Sequence, residues 1–260
     1  MSRLFSFLTF LIGLISFSSI TFAQEFDGKL DWWQKTPIKF GVSGTVKQVN
    51  VQPGQKIPKG APMMSLNPQI YKAALDEARS VLKTKKRQLT DAKKDWGRIK
   101  ELYDRQVLAL TEYEAAQMRY NLAKDEYNIA KAKLQKAQFY YQESIISAPF
   151  ESYVIHNSTV PGQVIISDLQ LEPLMTIVSA NNMIAKTFIS EEIINKLHVS
   201  DSANVIIGEK TFRGKIYNLG VEVANTQDNK NYYELHVLFP VQRIENFRSG
   251  QGAMIEIPNL

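Results

Sequence analysis

The chain has 260 residues, of which 44% are hydrophobic, and a formal net charge of +5. This length and composition fit one large packed domain or two to three small ones. The lack of cysteine excludes a disulfide framework, a thiolate metal site and a cysteine nucleophile. Lysine and acidic residues are interspersed, mainly in the middle third, which indicates a solvated helical face rather than a nucleic-acid site.

Residues 1–23 have the layout of a secretory signal peptide. Arg3 precedes an almost wholly apolar run from Leu4 to Ile20, and small residues then stand at Thr21 and Ala23 before the polar Gln24. This order predicts export and cleavage after Ala23. An uncleaved membrane anchor is the alternative, because the apolar run is about the minimum length that can span a bilayer.

Residues 24–40 form a short aromatic lead-in. Its Trp32 and Trp33 fit either a membrane interface, where indole rings are favoured, or packing against the domain that follows. Residues 41–67 then alternate apolar and polar side chains between Gly and Pro breaks, which predicts short strands and tight turns.

Residues 144–180 mirror residues 41–67. Gly54-Gln55 and Gly162-Gln163 each follow a proline, an order that suits type II turns with a positive φ at the glycine. Two similar four-stranded halves would close one small β-sandwich. Met63-Met64 lies in the first half and, as a pair of soft ligands, suggests copper or silver binding, but alternation predicts one methionine in the core and one outside, which argues against a metal site.

The segment between the two halves, residues 68–143, contains a single glycine and, after Pro68, no proline. Apolar residues recur there at alternating steps of three and four, from Leu75 to Tyr103 and from Tyr113 to Tyr141, with Lys85 as the one interruption. This pattern predicts two helices of roughly 50 Å that fold back as an antiparallel coiled-coil hairpin. Thr111 and Glu114 form a capping-box pattern, so we expect the second helix to begin at Thr111.

Residues 181–260 return to short strand-like runs and a short helix after Ser190. His156, His198 and His236 lie in different predicted elements, without the spacing of metal ligands. The sequence therefore offers no catalytic residue, no metal site and no cofactor site.

The order of these segments resembles the membrane fusion proteins, the HlyD-like periplasmic adaptors of efflux and secretion systems that include the RND-type adaptor subunits. The stretch from Gly41 to Val46, with Gly54 and Gly60, resembles the first half of their lipoyl-like domain. Ile146 to Phe150 resembles the second half, and 183–257 resembles their small barrel. The turn residues that carry this resemblance are Gly41, Gly44, Gly54, Gly60, Pro149 and Gly162.

The resemblance implies an α+β, elongated, multi-domain fold. It implies a split lipoyl-like β-sandwich (41–67 and 144–180, also called a barrel-sandwich hybrid), an inserted antiparallel α-helical hairpin (68–143) and a small β-barrel domain (181–260). In function, it implies a periplasmic, membrane-associated subunit of a Gram-negative-type cell. Such a subunit links an inner-membrane transporter of RND, ABC or MFS type to an outer-membrane channel, as a homo-oligomeric ring.

In efflux members of the family the hairpin tip docks on the channel. The matching positions here are Arg98, Leu102 and Ala109, where the family has Arg, Leu and Ser. Arg105, Val107, Leu108 and Leu110 would complete an apolar tip with one charge. For Val107 and Leu110, docking and simple closure of the coiled coil are equal alternatives. Because exposed apolar residues on a solvated rod are a liability, we favour docking for Leu108. We expect aspartate at Leu102 or Leu108 to abolish transport with the fold intact.

Two other classes of protein remain open. A lipoyl or biotinyl carrier would need a lysine on the turn that joins the two halves, and Lys47, Lys56 and Lys59 instead lie within the first half. A purely structural coiled-coil envelope protein would share the hairpin but would bind neither a transporter nor a channel.

Overall fold

A computed structural model of the chain describes residues 24–227 and 230–258. The predicted signal peptide, and with it the anchor alternative, lies outside these residues. They form two compact units, one of residues 34–180 and one that combines 24–33 with 181–258. Within the described ranges, no helix is long and apolar enough to cross a membrane.

The first unit holds a split body of eight short strands, four before and four after a helical hairpin. Before the hairpin lie β2 (Thr36–Ile38), β3 (Gly44–Val49), β4 (Lys56–Ile57) and β5 (Pro62–Leu66). After it lie β6 (Ile145–Ser147), β7 (Ser152–Asn157), β8 (Val164–Ile165) and β9 (Met175–Ser179). The strands pair into two four-stranded sheets, in the orders β2-β9-β7-β4 and β6-β5-β3-β8. Each sheet therefore takes two strands from each half of the chain.

The two halves of this body are related by an internal two-fold repeat. Exchanging β2, β3, β4 and β5 for β6, β7, β8 and β9 converts one sheet order into the other. The turns obey the same exchange: Gly54 N–H donates to Val154 O, and Gly162 N–H donates to Val46 O, both at 2.8 Å. The two glycines have φ angles of 87° and 89°. The positive φ predicted for the two Pro-Gly turns is therefore present, and each turn is fixed to a strand of the opposite half.

One hydrophobic core joins the two sheets of the body. It contains side chains from both, among them Val46, Leu66, Val154, Ile165 and Ile177. Met63 and Met64 are both fully buried in this core. The prediction that one of them would be exposed was wrong, because β5 is buried almost along its whole length rather than on one face. Both methionines therefore serve as core packing.

The inserted hairpin consists of α1 (Gln69–Asp104) and α2 (Leu110–Glu143). Ala116, Ala123 and Ala130 of α2 recur every seven residues and are buried, so small side chains let the helices approach closely. Between these layers large rings stack: Trp96 on Tyr120 with centroids 5.2 Å apart, and Tyr103 on Tyr113 at 4.9 Å. Lys85, which interrupts the predicted seam, reaches across to Glu126 with a 2.8 Å ion pair.

The turn between the helices is built around Gln106. The backbone N–H of Gln106 donates to the carbonyl oxygen of Tyr103, and the backbone N–H of Val107 donates to that of Leu102. These are the two hydrogen bonds of a Schellman motif. Gln106 has a φ of 61°, a left-handed conformation that glycine usually adopts at this position. The second helix begins at Leu110 with Ala109 as its N-cap, and no side chain caps it. The predicted capping box at Thr111 is thus absent, because Thr111 already lies in the first helical turn.

The second unit is a closed six-stranded barrel in the order β1-β10-β13-β12-β11-β14. Its strands are β1 (Gln24–Trp32), β10 (Asn182–Ser190), β11 (Ser202–Ile207), β12 (Lys210–Gln227), β13 (Lys230–Pro240) and β14 (Gly252–Ile257), with the short helix α3 (Glu191–Ile194) after β10. The core holds buried side chains from several strands, including Leu30, Val205, Val237, Phe239 and Ile255.

The first part of the segment interpreted as a lead-in, residues 24–32, is a full strand of this barrel, while its later part contributes β2 to the split body. β1 pairs with β10 on one side and β14 on the other, and so closes the cylinder. A side chain at Gly28 would put its Cβ 2.7 Å from the carbonyl oxygen of Lys186, so glycine is needed in mid-strand. This glycine weakens the alternation that would have identified the strand. The ring of Trp33 packs edge-on against Tyr217 of β12, with centroids 4.5 Å apart.

Candidate docking surface at the hairpin tip

The apolar surface of the hairpin tip is formed by Val107 and Leu110. Val107 follows the left-handed Gln106 and is 66% exposed, and Leu110, the first residue of α2, is 52% exposed. Leu108, which the sequence favoured for docking, is half-buried. The chain reverses within residues 105–109, so one of the three apolar side chains turns inward while the other two face outward. That division depends on backbone conformation and could not be seen in the sequence.

Charged residues surround this apolar tip, and each predicted arginine is ion-paired. Arg105 caps α1 and contacts Glu101 at 2.5 Å. Arg98 contacts Asp95 at 2.6 Å while its side chain stays 71% exposed. Arg119 of α2 reaches the same carboxylate at 3.5 Å. The hydrogen bond from Arg98, followed by its charge and that of Arg119, lowers the pKa of Asp95 despite some desolvation.

The five predicted tip residues are brought together within the last two turns of α1 and the loop. Leu102 is half-buried and its carbonyl accepts the Schellman hydrogen bond, while Ala109 is exposed in an extended conformation as the N-cap of α2. Aspartate at Leu102 or Leu108 would therefore disturb packing as well as any docking. Val107 and Leu110 are better probes because their side chains are already in solvent.

The predicted turn residues of the split body do not converge on one site. Gly54, Gly60 and Gly162 have positive φ in separate turns. Gly44 lies close to Leu66, whereas a Cβ at Gly41 would stand 2.9 Å from the Glu143 carboxylate. Pro149 is exposed between β6 and β7. These residues shape the turns of the body.

The lysines weighed as cofactor arms are all surface residues of the first half. Lys56 forms a 2.8 Å ion pair with Glu151, and Lys47 and Lys59 are exposed. At the position where a carrier turn would present its lysine, Asn67 and Pro68 lead directly into α1. No group of three or more potential metal ligands occurs in the ranges that the structure describes.

A second apolar surface, which the sequence reasoning missed, runs along the outer face of α2. Met118, Leu122, Ile129 and Phe139 lie on the side away from α1 and are 68, 61, 57 and 53% exposed. They recur at helical spacing but are offset from the main seam, with Asp125 and Lys136 between them. A search of the α2 sequence for a second apolar stripe at helical spacing would have found them. We call these four residues the outer stripe of α2.

No protein-family model matches the chain. A curated relative, the macrolide export protein MacA of Yersinia pestis, is 24% identical over 204 residues. The match covers 72% of this chain and 55% of the relative, so the chain spans about half the length of that protein.

Two solved structures share the fold over most of the chain. One is a MacA–MexA chimera that contains the α-hairpin domain of Pseudomonas aeruginosa MexA. Its TM-score is 0.64 at 20% identity, over 93% of this chain and 80% of the other. The second is the membrane fusion protein Spr0693 of Streptococcus pneumoniae R6, with a TM-score of 0.65 at 18% identity, over 90% of this chain and 98% of the other.

Proposed function

We propose that the chain is a relative of the membrane fusion proteins, as its motifs predict, and that it is the periplasmic adaptor subunit of a tripartite efflux or secretion system. In this role it links an inner-membrane transporter to an outer-membrane channel. The observation that carries the proposal is the tip: two long, mutually packed helices end in a turn whose Val107 and Leu110 lie in solvent. Apolar side chains at the end of a solvated rod fit a docking contact.

The split body acts as the scaffold of the hairpin, with a lipoyl-like fold that carries no cofactor. Its internal two-fold repeat supports this assignment, because the hairpin leaves from the first half and returns to the second at the same place. Its lysines lie outside any turn that joins the halves. An intact mass without a lipoyl or biotinyl increment is expected.

Several copies work together in a ring, and neighbouring hairpins contact one another through the outer stripe of α2. Its four large side chains are more than half exposed in one copy. Their burial against a second hairpin would remove an apolar surface that is otherwise unfavourable in water.

The subunit acts outside the cytoplasm, at the inner membrane, without enzymatic activity. The transporter is of RND, ABC or MFS type.

The test compares cross-linked complexes recovered with the protein from its own host cells. In a variant with Val107→Asp and Leu110→Asp, we expect an outer-membrane channel, identified by mass spectrometry, to be lost while an inner-membrane transporter is retained. The control is Ile70→Asp, at a 77% exposed apolar position at the other end of the hairpin, which should retain both proteins. Recovery of neither protein with the unmodified chain would refute the adaptor function.

A further inference from the structure

One flank of the hairpin carries only positive charge. The large residues of the apolar seam recur every seven positions, from Leu75 to Trp96 in α1 and from Tyr113 to Leu134 in α2. The residues four positions after them are Arg79, Lys86, Lys93 and Lys100 in α1, and Gln117, Lys124, Lys131 and Gln138 in α2. All eight side chains are exposed, and no carboxylate occupies any of these positions. In an antiparallel pair these two columns lie side by side. We call the six cations the basic flank.

The opposite flank of the same hairpin is electrically balanced. There Asp95 of α1 contacts Arg119 of α2, and Glu126 of α2 contacts Lys85 of α1. On the basic flank Arg79 contacts Asp76, and the ring of Trp96 lies 5.7 Å from the Lys100 ammonium. The other four cations form no ion pair among the residues that the structure describes. The two flanks therefore differ in charge, and the basic flank keeps a row of uncompensated positive charges.

The basic flank is long and regular enough to bind along a linear polymer. Successive cations on α1 are seven residues apart, which is about 10.5 Å along a helix, and the row from Arg79 to Lys100 is about 32 Å long. None of the eight positions holds an apolar side chain. Binding at these eight positions is therefore electrostatic, because they offer neither the aromatic or aliphatic anchors of a protein interface nor the apolar face of a membrane-surface helix.

A second copy of the chain cannot neutralise this row through its own hairpin. Any heptad column of α1 or α2 carries two carboxylates at most, namely Asp76 with Asp104, Glu77 with Asp91, or Glu112 with Glu126. Asp76 and Glu126 already contact a basic residue of their own hairpin. A second hairpin therefore does not complement the row, which calls for a surface with more closely repeated negative charge.

We propose that the basic flank binds the carboxylate-bearing polymer of the cell wall, peptidoglycan. This inference rests on the proposed function, since a rod that joins the two membranes has to pass through that layer. Repeated carboxylates of the wall peptides would meet the row of ammonium and guanidinium groups along the side of the rod. The contact would hold the hairpin upright within the wall and leave the tip free for the channel.

The experiment is co-sedimentation of the purified protein with isolated peptidoglycan sacculi. Lys86→Glu with Lys93→Glu reverses two charges of the basic flank, and Lys133→Glu with Lys136→Glu reverses two exposed lysines of α2 outside it. Both pairs change the net charge equally, and lysine and glutamate have similar helix propensities. We expect the basic-flank variant to bind at least about tenfold more weakly, and the control to bind like the unmodified protein. High salt should release the bound protein.

Equal binding by the two variants, or no sedimentation of the unmodified protein, would overturn the proposal. Two further probes test other anions: vesicles of phosphatidylglycerol and soluble polyglutamate. Tighter binding to either probe than to sacculi would assign the flank to lipid or to an acidic protein and would also overturn it. Cross-linking to the channel and to the transporter is measured separately on the same variants and on the unmodified protein. If the unmodified protein cross-links to neither, the adaptor function is refuted, and the sacculus result is unaffected.

Discussion

The close approach of the two hairpin helices depends on the buried alanines of α2, and Ala116→Leu tests this directly. Ala116 is 1% exposed and lies between Tyr113 and Tyr120, whose rings stack on α1. A leucine there has no space unless the helices separate or a ring pair slips. Overpacking of this kind costs about 1–3 kcal/mol. With a urea dependence of about 2 kcal/mol per molar, the unfolding midpoint should fall by about 1 M.

Circular dichroism of the helical signal is the appropriate assay, because α3 has only four residues and the hairpin supplies nearly all the helix in residues 24–227 and 230–258. The matched control is Ala132→Leu, at an exposed position of the same helix. Alanine and leucine differ little in helix propensity, so the control midpoint should stay close to that of the unmodified protein. Equal midpoints for the two variants would refute the close packing at Ala116.

Two further variants test the tip of the hairpin. Gln106→Gly should raise the unfolding free energy of the hairpin by up to about 1 kcal/mol, because glycine adopts the left-handed conformation without strain; no gain in the urea midpoint relative to Gln106→Ala would contradict the Schellman turn. Asp95→Asn should lower the midpoint at neutral pH. The pKa of Asp95 is lowered in the folded protein, so its stabilising effect is present above the ordinary carboxyl value of 3.8 and is lost as the pH falls through the lower folded value. A difference between Asp95→Asn and the unmodified protein that persisted in acid would exclude the ion pairs with Arg98 and Arg119 as its cause.

The hairpin was predictable because its signal is long and local. Seven-residue repeats continue from Leu75 to Tyr103 in α1 and from Tyr113 to Tyr141 in α2, and a pattern of that length leaves little choice of structure. Even the interruption at Lys85 did not break it, since the cross-helix partner Glu126 satisfies the charge. The two Pro-Gly turns were predictable for a similar reason, because the backbone conformation there requires glycine.

The features that sequence reasoning missed depend on contacts between distant parts of the chain. β1 belongs to the barrel because it pairs with strands more than 150 residues away, and Gly28 weakens its local pattern. Met63 and Met64 are both buried because β5 is covered on both of its faces. At the tip, one residue in the left-handed conformation decides that Val107 is exposed and Leu108 is half-buried. Amino-acid composition does not reveal which of these two side chains is exposed.

Site-specific photo-cross-linking in living cells tests the adaptor account most directly. A photoreactive amino acid at Val107 lies on the exposed tip, and one at Ile70 lies at the opposite end of the hairpin at a position that is at least as exposed. The account predicts cross-links from position 107 to an outer-membrane channel, identified by mass spectrometry, and none to that channel from position 70. Cross-links to the channel from position 70 but not from position 107 would contradict docking through the tip.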